Sequence, residues 1–117
     1  MKFSSENREG MTIENVLLAR ATYNCAEEFK EILIKDITKK NLNIVVNLEE
    51  CKYMDSTFLG TLVSISKKLK ELGGSLKIAN LHSEALILFE ITGMMRIFEV
   101  YKNVDEAVAN FTSSVEK

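Results

Sequence analysis

Apolar and polar positions alternate along the chain in blocks whose period switches between strand and helix. Met11 to Ala19, with Ile13, Val16, Leu17 and Leu18, predicts a strand. Phe3 belongs to a short edge strand before it, joined through a turn at Glu9-Gly10. Asn24 is positioned to cap a helix whose apolar residues Ala26, Phe29, Ile32, Leu33 and Ile37 recur at three- and four-residue steps. Leu42 to Leu48 is β-branched and too short for a helix, and predicts a central strand buried on both faces. A loop then runs from Glu49 to Asp55.

The best-defined helix is Ser56 to Leu72. Phe58, Leu62, Ile65, Leu69 and Leu72 form one stripe flanked by Leu59 and Val63, while Lys67, Lys68, Lys70 and Glu71 fall outside it. Gly73-Gly74 ends it, since glycine takes the left-handed C-cap conformation without strain. Ser75 to Ala79 predicts another strand. Ser83 caps a helix bearing Ala85, Leu86, Leu88, Phe89 and Ile91 that stops at Gly93, and Ile97 to Tyr101 predicts a last strand. Asn103 with Glu106 makes a capping-box start for a final helix carrying Val104, Ala107, Val108, Phe111 and Val115. The order β-β-α-β-α-β-α-β-α predicts an α/β fold, a mixed, mostly parallel sheet of four to five strands packed by four helices. With no repeat or linker, residues 1–117 read as a single domain.

Composition narrows the function classes. At 46% hydrophobic and 27% charged residues, the chain is too apolar for disorder. Fifteen basic residues against 17 acidic ones give a net charge of −2, with no clustered basic excess of the kind that grips nucleic acid or an anionic membrane. The polar N-terminus lacks a signal-peptide core and no apolar run approaches a membrane span, so the expected location is the cytoplasm. Cys25 and Cys51 stand 26 positions apart without a CxxC motif, and His82 is the only histidine. That set is too small for a zinc site, and two inert thiols are expected in a reducing compartment. No metal and no cofactor is implied.

Enzyme signatures are missing. No phosphate-binding glycine loop, nucleophile elbow or zinc-protease motif occurs, and His82 reads as a capping or loop residue. Glu27-Glu28, Glu49-Glu50 and Asp105-Glu106 are adjacent pairs whose side chains diverge by about 100° on a helix, which suits solvated charge. Met94-Met95 reads as core or turn packing. One stretch stands apart, Met54-Asp55-Ser56-Thr57-Phe58-Leu59-Gly60, where the chain enters a helix beyond the end of the Leu42–Leu48 strand. Ligand sites gather at that edge of open α/β sheets. Asp-Ser-Thr is equally a good helix-capping sequence.

At this stretch the chain resembles the STAS-domain family, in particular bacterial anti-sigma factor antagonists. Their shared segment runs from an apolar strand through an acidic loop to Asp-Ser-Ser/Thr-Gly-Leu-Gly opening a helix. Further matches lie at Leu72-Gly73-Gly74, at Leu88-Phe89-Glu90-Ile91-Thr92-Gly93 and at Arg96-Ile97-Phe98. The resemblance implies that Ser56 is a phosphoacceptor, with Asp55 and Thr57 beside it and Thr22, Phe58, Leu59 and Gly60 on a partner interface. It implies a partner, an anti-sigma factor serine kinase, and a phosphatase that resets the switch. Two positions depart from the family: Phe58 stands where glycine is usual, and Thr22 where an aspartate often sits. The alternative is a diverged STAS scaffold that binds a small anion, nucleotide or lipid at the same helix N-terminus without phosphorylation.

The residues are compatible with the switch. With Asp55 as N-cap, Ser56 takes the first helical position, about 120° from the centre of the apolar stripe. A phosphate there adds about −1.5 to −2 charge, which a helix N-terminus tolerates.

Overall fold

The computed structural model describes the backbone of residues 1–116 and the side chains of residues 1–111. Strand β1 (Phe3–Arg8) and strand β2 (Met11–Val16) form an antiparallel hairpin in which Arg8 pairs with Met11. Glu9 and Gly10 both have positive φ, 53° and 85°, the geometry that matches a two-residue turn to strand twist. The predicted edge strand is therefore present and longer than Phe3 alone required.

β2 is shorter than the predicted Met11–Ala19 segment. Residues 17–19 leave the sheet to deliver the chain to β3, a two-residue strand at Arg20–Ala21. Helix α1 follows at Tyr23–Thr38, then β4 at Asn43–Asn47 and β5 at Tyr53–Met54. Next come α2 (Ser56–Glu71), β6 (Ser75–Ala79) and α3 (Ser83–Ile91). A single 3-10 turn at Met94–Arg96 precedes β7 (Glu99–Tyr101) and α4 (Val104–Glu116). Val115 lies outside the described side chains.

The main sheet has the order β1-β2-β4-β6-β7, antiparallel at the hairpin and parallel elsewhere. β3 and β5 pair in parallel as a separate two-stranded ribbon. β4 is buried on both faces, as its unbroken apolar run predicts. Ile44 and Val46 face the cluster built on Phe29, Leu33, Phe58, Leu62 and Phe89 from α1, α2 and α3. Val45 faces the smaller cluster of Met11, Ile13, Ala107, Val108 and Phe111 under α4.

The stripe of α2 buries Phe58, Leu62, Ile65 and Leu69, but Leu72 is its C-cap and half exposed. Gly74 allows the helix to turn straight into β6. A Cβ on it would sit 2.2 Å from the Leu42 carbonyl oxygen, so no larger residue fits without moving backbone. Among the described residues, no helix is long and apolar enough to cross a membrane.

Candidate functional site

The site grows from the short ribbon. Lys52 and Tyr53 donate N–H groups to the Ala19 carbonyl at 2.9 and 3.1 Å, and Asp55 N–H donates to the Ala21 carbonyl at 3.1 Å. These bonds zip residues 19–22 to residues 52–55 and bring the N-termini of α1 and α2 together. Arg20 stacks its guanidinium 4.2 Å above the Tyr53 ring at the rim.

Asp55 is the keystone of this junction. Its backbone is extended, with φ −95° and ψ 175°, as an N-cap requires. One carboxylate oxygen accepts the Phe58 N–H of its own helix at 2.9 Å. The other accepts the Tyr23 N–H, the first of α1, at 2.8 Å. One side chain thus serves two helices. The predicted Asn24 cap is corrected accordingly: α1 starts at Tyr23, Thr22 occupies the cap position, and the Thr22 side chain makes no capping bond.

Ser56 holds the first position of α2 and is exposed, and its hydroxyl makes no hydrogen bond among the described residues. Thr57 is exposed beside it. Gly60 is also at the surface, one turn on, and Thr22 is half-buried across the junction.

Phe58 corrects the sequence expectation that it stands on a partner interface. Phe58 is 0% exposed and stacks on Phe29 at 5.2 Å, which in turn stacks on Phe3 at 4.8 Å. The apolar stripe directs the ring inward, where no partner meets it. Leu59 is 3% exposed and forms only the floor of a groove. That groove, about 750 Å³, runs along α2 from Ser56 past Gly60, Val63 and Ser64, with Thr92 and Met94 on its far wall. Of the two methionines expected in core or turn packing, Met94 packs partly against the core and Met95 is exposed.

His82 is the N-cap residue of α3, and its Nε2 lies 2.6 Å from the Glu49 carbonyl, pinning the loop after β4. Both cysteines are buried and free, and burial pushes the Cys51 thiol up. Among the described residues no three His, Cys, Asp or Glu side chains come together to hold a metal. The junction of two helix N-termini, the double cap and the length of the groove escaped the sequence reading. Only the Asp-Ser-Thr helix entrance was visible there.

Comparison with known proteins adds a family. A family model described as STAS domain matches residues 21–107. The anti-sigma-B factor antagonist of Bacillus subtilis is 38% identical over 64 residues, 55% of this chain and 59% of that protein's length. The anti-sigma-B factor antagonist of Listeria monocytogenes is 38% identical over 80 residues, covering 68% of this chain and 69% of the relative. Among solved structures, the phosphorylated form of the Bacillus cell fate determinant SpoIIAA superposes with a TM-score of 0.73 at 17% identity, over 93% of this chain and 98% of the other.

Proposed function

From its membership of the STAS-domain family, to which the chain belongs, we propose that this protein is an anti-sigma factor antagonist switched by phosphorylation of Ser56. It binds an anti-sigma factor serine kinase and so frees a sigma factor, and a phosphatase restores it. It acts as a binding protein in the cytoplasm, as one domain, and performs no catalysis of its own. The observation that carries this reading is the exposed Ser56 hydroxyl at the first position of α2. Asp55, the carboxylate beside it, is committed to two backbone N–H groups, which leaves Ser56 as a group acted upon.

The physical logic is a change of surface on an unchanged frame. Two helix N-termini flank the site, and their unpaired amides and dipoles favour an added anion. A partner resting on Ser56 and the groove beyond it meets new charge when the phosphate arrives. Desolvated like charge at an interface costs several kcal/mol. Micromolar binding is worth about 8 kcal/mol, so that loss is decisive.

The test is phosphorylation and binding with the cognate anti-sigma factor kinase. Mass spectrometry should find the phosphate on Ser56, and Ser56→Ala should take none while still binding. Ser56→Asp should weaken binding at least tenfold. Wild-type affinity in Ser56→Asp, or label on Thr57 alone, overturns the assignment.

The groove beside the helix N-terminus supports a second reading, a small anion, nucleotide or lipid bound without phosphorylation. A thermal shift with nucleotides or fatty acids that disappears on filling the groove with Gly60→Leu would favour it.

A further inference from the structure

At the far end of α1 lie two buried carboxyl groups, one on the helix and one on β2, whose arrangement has no part in the switch. Glu14 lies on β2 and is 0% exposed, and Asp36 lies in the last turns of α1 and is 8% exposed. Glu14 pairs across the hairpin with Ser5, whose hydroxyl donates to one of its oxygens. The other Glu14 oxygen and one Asp36 oxygen are buried with no hydrogen-bond partner among the described residues, as is the hydroxyl of Thr12, the next residue along the same face of β2. The two carboxyl groups lie within hydrogen-bonding reach of each other, and acceptors without a donor are costly in an apolar interior.

We propose that Glu14 and Asp36 share one proton, forming a latch that fastens the C-terminal turns of α1 to β2 and opens when the proton leaves. A single hydrogen between the two orphaned oxygens gives each a partner at once. Without it, two like charges face each other in a dry site.

The surroundings favour the protonated form. Burial, with Asp36 alongside, raises the Glu14 carboxyl to about 8 from its ordinary value near 4.5. The Ser5 hydroxyl and Lys39, the C-cap of α1, pull the other way and are outweighed. A cavity of about 280 Å³ reaches Asp36 and Thr12 from solvent, rimmed by Glu6 and Asn7 of β1, Lys39 and Asn41. It supplies a path for the proton. The neighbour of Thr12 on β4 is Ile44, which offers no charge.

The sign follows from linkage. A carboxyl raised on folding contributes stability that is complete below its unfolded value, near 4.5, and is lost as pH climbs through about 8. The latch therefore loosens across the neutral range, independently of whether Ser56 is phosphorylated.

Urea unfolding of wild type and Glu14→Gln from pH 5 to 9 tests this. Relative to the variant, the folded-to-unfolded ratio of wild type should fall by up to about tenfold per pH unit toward pH 8, then level. Parallel curves overturn the latch. Should Glu14→Gln fail to fold, wild type labelled with ¹³C at glutamate carboxyls gives the same answer by NMR. One glutamate should titrate near 8, and all of them titrating in the ordinary range overturns the proposal. Millimolar Mg²⁺ or Ca²⁺ should leave the wild-type unfolding midpoint at pH 8 unchanged. A rise that Glu14→Gln abolishes would make the pair a cation site and overturn the shared proton.

Discussion

The two ends of α1 are each tied down by acidic side chains, and in opposite ways. At the N-terminal end Asp55 offers two oxygens to two backbone N–H groups, one from each of two helices. At the C-terminal end Glu14 and Asp36 bring acceptors to a buried place that has too few donors. The residue type is nearly the same, and the supply of donors decides the outcome. Where helix N-termini converge, a carboxylate is a structural clip and leaves room for more negative charge nearby. At the C-terminal end of a helix, away from those amides, a buried carboxyl group needs a proton.

The N-terminal clip also rests on an apolar stack that the other end lacks. Phe3, Phe29 and Phe58 lie ring against ring beneath the junction. Phe58→Ala is the harshest way to break the contrast, with an expected cost of about 3–5 kcal/mol in urea unfolding. Such a loss identifies the stack as the larger support. A cost below about 1 kcal/mol would leave Asp55 as the main one. Asp55→Ala comes next, at about 2 kcal/mol, because two caps worth about 1 kcal/mol each disappear together. Asp55→Asn keeps a short acceptor and should lose clearly less. If Asp55→Ala costs no more than a single cap, the bond to Tyr23 contributes nothing to stability.

How much of this was legible depends on whether the cause lay near in sequence. α2 was readable because its signals are local: an Asp-Ser-Thr entrance, one apolar stripe and a Gly-Gly exit, giving Ser56–Leu72 against the observed Ser56–Glu71. The Glu9-Gly10 turn and the buried run of β4 were readable for the same reason. The start of α1 was not, since its first N–H is met by Asp55, 32 residues away. β3 and β5 are two residues long and carry no periodicity. Phe58 was read both as stripe and as partner surface, and a helical face buried by α1 permits only the first. Glu14 sits inside an apolar strand segment, where a lone acidic residue sharing a face with Thr12 and Val16 was the available hint. Its partner on α1 is a tertiary fact.

The smallest expected effect bears most directly on the switch. Ser56→Asp places a carboxylate at the first position of α2, on an exposed side chain that makes no hydrogen bond among the described residues. Replacing it breaks no contact, so packing contributes almost nothing. The helix N-terminus favours the new charge by about 0.3–1 kcal/mol, and Asp55 one residue away opposes it by a similar amount. The two nearly cancel, and the unfolding free energy should move by less than about 0.5 kcal/mol, as for surface substitutions in general. Raising the salt concentration should shrink even that remainder, because both contributions are screened at an exposed site. A loss of 2 kcal/mol would mean that charge at Ser56 disturbs the Asp55 clip. The partner would then be released by loosening of the helix junction, and no longer by repulsion at an intact surface.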